Sequence, residues 1–256
     1  MDNETLIDLL ETLHNKYNNI DFIESDPISI PHNFSARENI EISGFFAATI
    51  AWGNRKAIVK SAMKMMEYMD NQPYEFVTAA SENELQHLSA FVYRTFNGRD
   101  FISFVRALRR LCAKFGSIGN FFEKEYLKTN DIRIVLSRFR EQFFCIEHEK
   151  HCEKHLSSIA KGAACKRLNM YLRWMVRNDN RGVDFGLWKQ IPMSALYLPL
   201  DVHSGNMGRT FGLLTRKQND WRAVEEITQN LRNIDANDPV RFDFSLFGAG
   251  VNQKKI

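Results

Sequence analysis

The sequence predicts an all-α protein, and three observations carry the prediction. Apolar residues recur at helical spacing along most of the chain, capping signals stand where that spacing begins, and alternating β-branched runs are scarce. In chain order the pattern gives helices over roughly 3–17, 38–52, 55–70, 82–94, 98–115, 117–128, 131–147, 163–178, 202–213 and 220–232, with a last one near 239–249. In the second of these, Ile42, Phe45, Phe46, Thr49 and Ile50 follow an i, i+3, i+4, i+7, i+8 stripe and read as a core face. Ser81-Glu82-Asn83-Glu84 is a capping box, whose hydroxyl and carboxylate satisfy N–H groups that a helix start leaves unpaired. Phe101, Phe104, Val105, Leu108 and Leu111 repeat the core stripe. Pro27, Pro31 and Pro73 punctuate the front of the chain, and Pro192, Pro199 and Pro239 the back. The longest break runs from Asn178 to Leu200, and Phe185-Gly186-Leu187-Trp188 within it predicts one turn of helix. No internal repeat or low-complexity stretch interrupts the pattern.

At 256 residues and 29.8 kDa the chain can enclose one large core or two packed lobes. With 44% hydrophobic, 12% aromatic and 25% charged residues, against 13 Gly and 6 Pro, compositional disorder is excluded. No apolar stretch approaches the roughly 18 to 20 residues that cross a bilayer, and Met1-Asp2-Asn3-Glu4 is an acidic, polar start. The expectation is neither secretion nor membrane spanning. Cys112, Cys145, Cys152 and Cys165 are too sparse for a disulfide framework, so a reducing cytoplasm is the expected home. The formal net charge of +3 matters less than its distribution. Lys154, Lys161, Lys166, Arg167, Arg173, Arg177 and Arg181 face only Asp179, and Arg94, Arg99, Arg106, Arg109, Arg110 and Lys114 face only Asp100. Such runs are either solvated helix faces or, if they flank one groove, walls for a polyanion.

Chemistry concentrates in two segments. Lys161-Gly162-Ala163-Ala164-Cys165-Lys166-Arg167 begins at a glycine turn and runs into an apolar and basic helix, on which Leu168, Tyr171, Leu172, Met175 and Val176 share a face. Lys166 falls near the start of that helix, where the positive end of the helix dipole disfavours an ammonium. It reads either as an amine nucleophile or as a lysine whose stem lies along the surface with its head in water. Further on, Leu198-Pro199-Leu200-Asp201-Val202-His203-Ser204 is an apolar, proline-led segment that delivers Asp201 to a helix start. An N-cap role explains the aspartate by itself, and its functional reading depends on Lys166.

Together the two segments resemble the helix-hairpin-helix (HhH-GPD) DNA glycosylase superfamily of endonuclease III and the 8-oxoguanine glycosylases. That superfamily carries L-P-G-x-G-x-K, then an apolar helix, then V-D-T-H-V-x-R-V-x-x-R-L-G-L. Gly162 matches the first hairpin glycine, Lys166 the lysine, Asp201 the aspartate, His203 the histidine, and Phe211-Gly212-Leu213 the end of the second motif. The stretch from Glu41 to Lys56 resembles the superfamily's early helix with its duplex-probing end, and that from Tyr93 to Leu111 a later helix. Closer still, K-R-L-N-M-Y-L-R-W-M-V-R with the downstream P-L-D-x-H and D-P-V-R-F-D-F resembles an uncharacterised bacterial domain-of-unknown-function family placed near these glycosylases.

The resemblance implies a two-lobed helical fold with a central cleft. It implies a single compact unit of two interleaved lobes over 1–256, with a central helical region over 38–177 ending in the hairpin-like element and the insert loop and catalytic-motif helices over 178–256. It further implies a monomer that excises damaged bases from duplex DNA. Lys166 is the expected nucleophile, Asp201 the expected carboxylate, and strand cleavage by β-elimination a further outcome. Gly162, Lys161, Arg167, His203, Asn54, Arg55 and Trp52 are the expected DNA contacts. Several positions depart from the pattern. Ala164 replaces the second hairpin glycine, Asn206 and Thr210 stand where the motif has arginines, with Arg209 one place early, and no cysteine follows Cys165. An iron–sulfur cluster is therefore not expected, and no cofactor is called for. The same departures leave open a nucleic-acid-binding module of this fold without base excision. A separate candidate is metal binding by Cys145, His148 and Cys152, which would share a face of the helix expected over 131–147 and just beyond; the alternative is a polar, exposed helix end.

Overall fold

A computed structural model describes residues 2–252 and is mainly helical. The α-helices are α1 (Asn3–Tyr17), α2 (Asp21–Ser25), α3 (Arg37–Thr49), α4 (Arg55–Tyr68), α5 (Pro73–Ala79), α6 (Glu82–His87), α7 (Gly98–Phe115), α8 (Ile118–Thr129), α9 (Ile132–Phe143), α10 (Lys166–Val176), α11 (Val202–Thr210), α12 (Trp221–Ile234) and α13 (Asp243–Asn252). The all-α class is as expected. Among the described residues no helix is long and apolar enough to cross a membrane. The chain forms two compact units: Ile23–Ser157, and the residues up to Phe22 together with those from Ser158 onward.

In the middle unit the core is aromatic, as the stripes in α3 and α7 require. Phe45 packs its ring against Phe104, Phe139 and Phe143, and Phe46 against Phe101. Edge-to-face and tilted ring pairs of this kind add to the large area each ring buries. The buried acid of α3, Glu41, is not isolated: it accepts from Arg37 Nε at 2.8 Å and from the Gly119 N–H at 2.9 Å. Besides the short helix α5, which falls between the expected spans 55–70 and 82–94, two differences between expectation and structure matter here. The helix expected over 82–94 ends at His87, and Val92–Tyr93 (β1) pairs antiparallel with Phe96–Asn97 (β2). Arg94 has φ +53°, which a right-handed helix does not allow, and Tyr93 and Phe96 are buried while Val92 is 68% exposed. Asn97 then caps α7 in a capping box with Asp100. The second difference is that α9 stops at Phe143, and the chain re-forms as a 3₁₀ helix over Lys150–His155.

In the other unit α10 is buried from Leu168 to Val176. Helix α13 packs against both α1 and α11. Gly208 of α11 allows a close approach to α12, since a Cβ there would lie 2.5 Å from Ile227 Cδ1. The loop over 178–200 carries its helical turn at Met193–Ala195 rather than at Phe185–Trp188. The latter segment is kept out of a helix by the Phe185 and Trp188 N–H groups, which donate to the Trp174 and Met175 carbonyls of α10, and by Gly186 at φ +56°. Trp188 and Asp184 are buried, so this part of the loop completes the core. Arg173 and Arg177 of the expected basic run are also buried. Arg173 pairs with Asp184 and Asp243, and Arg177 with Asp179, Asp184 and Asp238. A guanidinium removed from water must find carboxylates, and these do, so neither arginine contributes to a polyanion surface.

Candidate functional site

Lys166 is the first residue of α10, and the turn before it fixes where it points. Gly162 (φ +77°) and Cys165 (φ +49°) are both left-handed and bracket Ala163-Ala164. Ala163 forms a β-bridge with Asp220, and the Trp221 N–H donates to the Gly162 carbonyl at 3.0 Å, tying the turn to the start of α12. Asp201 is positioned by the apolar segment before it. Leu198 and Leu200 are buried, and the Leu198 N–H donates to Thr228 Oγ1 of α12 at 3.1 Å. Asp201 is the N-cap of α11, its Oδ1 accepting from the Ser204 N–H at 2.9 Å.

These two anchors bring Lys166 Nζ to 4.0 Å from Asp201 Oδ2, across 35 positions of sequence, with side chains 28% and 20% exposed. Both are reachable from solvent. Behind them lies a third ionisable group that sequence reasoning missed. Asp243, at the start of α13, accepts from Ser204 Oγ at 3.4 Å and pairs with Arg173. Burial pushes its carboxyl up to about 6, against the pull of Arg173; the negative charge of Asp201 adds to the rise, and Lys166 opposes it. Asp243 belongs to the D-P-V-R-F-D-F string, but its spacing gives no sign that it backs the lysine. An amine, an accessible carboxylate and a buried acid with a raised proton affinity can together accept, hold and return a proton during attack by the amine.

The expected DNA contacts divide between the units. Lys161 and Gly162 are exposed, next to Lys166. The Gly162 N–H donates to the Ile159 carbonyl at 2.7 Å and the Ala163 N–H to Ser158 at 3.1 Å, so both amides of the turn face inward. Burial lowers the Arg167 guanidinium to about 10, leaving it cationic at neutral pH. His203 is exposed beside Val202, which is 65% exposed, and its ring meets Phe247 edge-on at 6.0 Å. Arg209 closes the loop after α11 by donating to the Arg216 and Lys217 carbonyls. In the middle unit Asn54 is the N-cap of α4, accepting from the Ala57 N–H at 3.2 Å, and Arg55 pairs with Asp26. Trp52 is half-buried, stacked on His155 with centroids 5.7 Å apart. On the same helix Lys56, Lys60 and Lys64 form an exposed i, i+4, i+8 stripe that was not anticipated from the sequence.

The metal candidate Cys145, His148 and Cys152 does not share a helix face, because α9 ends before it. Cys145 donates to the Gln142 carbonyl at 2.8 Å, His148 Nδ1 lies 2.7 Å from the Ile146 carbonyl, and Cys152 is buried with its thiol near Asp100 and His151.

A family model described as a protein of unknown function, DUF2400, matches residues 26–252. No curated protein matches the chain, and no solved structure does.

Proposed function

The chain belongs to the DUF2400 family, whose description assigns no function, and from its motifs and the geometry of the site we propose that it is a DNA repair glycosylase of the helix-hairpin-helix kind, removing a damaged base through Lys166 and Asp201. The observation that carries the reading is the 4.0 Å separation of the Lys166 amine and the Asp201 carboxylate. An amine nucleophile needs an acceptor for its proton, and the pair sits where a substrate can reach it.

In this reading the damaged nucleotide leaves the base stack, which costs a few kcal/mol and least at a lesion. Lys166 Nζ gives a proton to Asp201 and attacks the sugar C1′. The C1′–Nζ bond forms as the C1′–N bond to the base breaks, and the base departs with the electron pair and takes up a proton. Opening of the sugar ring gives a Schiff base, from which β-elimination cleaves the strand. Asp243, neutral or charged according to pH near 6, sets the negative charge behind the pair. Damaged duplex DNA is the partner, and exposed Lys161, in the same unit as Lys166, supplies a cation for phosphates.

The test is borohydride trapping on duplexes carrying oxidised, alkylated or deaminated bases or an abasic site. A covalent protein–DNA adduct lost in Lys166→Ala is the expected result. The inward-facing amides of the Gly162 turn favour a second reading, a nucleic-acid-binding module of the same fold without base excision. Salt-sensitive binding with no adduct on any of these duplexes would overturn the first reading in favour of that one.

A further inference from the structure

A second constellation lies in the middle unit, built on one buried carboxylate. Asp100 is fully buried, and its Oδ2 accepts from the Asn97 N–H at 2.9 Å as the second half of the α7 capping box. That role leaves Oδ1 over. His151 Nε2 is 2.9 Å from Oδ1, and one donor atom each from Asp100, His151 and Cys152 falls within a 4.8 Å cluster. Cys152 and His155 are both buried because the segment is 3₁₀, with three residues per turn, so positions three apart stack on the inner face.

The bond directions decide what this cluster is for. Despite the 2.9 Å separation, Asp100 Oδ1 and His151 Nε2 make no directed hydrogen bond with each other, and the Cys152 thiol, pushed up by burial and by its hydrogen bond to the Asp100 carboxylate, carries the proton that a metal ion would displace. On its other side His151 Nδ1 is 3.0 Å from a Glu149 carboxylate oxygen. Donation from Nδ1–H to Glu149 leaves Nε2 with a lone pair, beside the lone pairs of a buried carboxylate. Two acceptors so placed repel unless a cation lies between them. A proton would give a directed N–H···O bond, which the geometry does not have. A metal ion needs only that both lone pairs converge on a common point. At bonds of about 2.0 to 2.1 Å a tetrahedral ion sets N and O donors about 3.3 Å apart, a few tenths of an ångström beyond what is seen.

We propose that Asp100 Oδ1, His151 Nε2 and Cys152 Sγ bind a divalent transition-metal ion of the zinc class. Mixed oxygen, nitrogen and sulfur donors suit Zn²⁺ and exclude the all-oxygen preference of Ca²⁺ and Mg²⁺. Glu149 holds the His151 tautomer, as a carboxylate behind a metal-bound histidine does. His155 Nε2, likewise without a directed hydrogen bond, lies 3.3 Å from Asp100 Oδ2. Three protein ligands leave a fourth position for water or a substrate atom, and the His151 side chain, 35% exposed, marks the solvent side.

The experiment uses the full chain freed of metal by chelator, then titrated with Co²⁺ and, in competition with a chromophoric chelator, with Zn²⁺. Expected are one ion per chain, intense tetrahedral Co²⁺ bands and a thiolate-to-cobalt charge-transfer band. Cys152→Ser abolishes that band, whereas Cys145→Ser and His148→Gln leave it unchanged. Glu149→Gln weakens Zn²⁺ binding by about 10- to 100-fold, an effect that a simple ion pair at His151 does not produce. If Cys152→Ser does not fold, the wild-type cobalt spectrum and the Glu149→Gln affinity decide. A weak octahedral spectrum without the sulfur band, loss of the band in Cys145→Ser, or wild-type affinity in Glu149→Gln would each overturn the site.

Discussion

Asp201→Asn separates the two jobs this residue holds. Asparagine caps a helix as well as aspartate does, so the bond to the Ser204 N–H survives and α11 keeps its start. What is lost is the negative charge 4.0 Å from Lys166. Coulomb's law gives about 1 kcal/mol for that pair in water and about 4 kcal/mol at an effective dielectric constant of 20. With both side chains partly exposed, the contribution to stability belongs near the lower figure, about 1 kcal/mol or less. The proposed chemistry loses far more, because removing a proton acceptor typically costs 10²- to 10⁴-fold, about 3 to 5 kcal/mol of barrier. Urea unfolding and the initial rate of borohydride trapping, measured on the same preparation, give the two quantities. A trapping rate within about threefold of wild type would refute the assignment of Asp201, and a stability loss of several kcal/mol would refute the argument that its charge is dispensable to the fold.

Four further outcomes test the physical account of the fold. Burial holds His14 down to about 4, so as pH falls from 6.5 the unfolded chain takes up a proton that the folded one refuses. Up to about 3 kcal/mol is lost between pH 6.5 and 4, and urea unfolding across that range should show a drop that His14→Leu removes. Asp243, raised to about 6, acts in the opposite sense: the folded chain keeps a proton the unfolded chain releases, so its contribution falls as pH rises from about 4 to 6. Asp243→Asn should therefore abolish that slope in the same titration. Arg177→Met strands Asp179, Asp184 and Asp238 without their shared cation and should destabilise by about 3 to 5 kcal/mol, read as a large drop in Tm. Gly98→Ala places a Cβ 2.5 Å from the Leu88 carbonyl oxygen, against backbone that cannot swing away; about 1 to 3 kcal/mol of stability should go, again measured by urea.

Helices whose cues are local came through closely. The expected spans 3–17 and 98–115 coincide with α1 and α7, where apolar periodicity and an N-cap act together. The failures have equally local causes. Arg94 accepts a left-handed turn because buried Tyr93 and Phe96 on either side outweigh its own preference, and no pattern in the run to residue 94 announces that. On an α-helical wheel Cys145, His148 and Cys152 share a face, whereas α9 stops at Phe143, the chain is irregular up to Glu149 and only Lys150–His155 is 3₁₀, so the side chains that come together are Asp100, His151 and Cys152.

The sequence alone determined the helical class, the aromatic core of the middle unit and the two short segments that end in Lys166 and Asp201, because periodicity, capping and turn residues are properties of neighbours along the chain. Only the tertiary structure decided which charges meet. Lys166 lies beside Asp201, the arginines of a basic run turn inward onto aspartates, and Asp243 settles beneath the pair. Burial and electrostatic pairing depend on distances between residues far apart in the chain, and those distances exist only once the chain has folded.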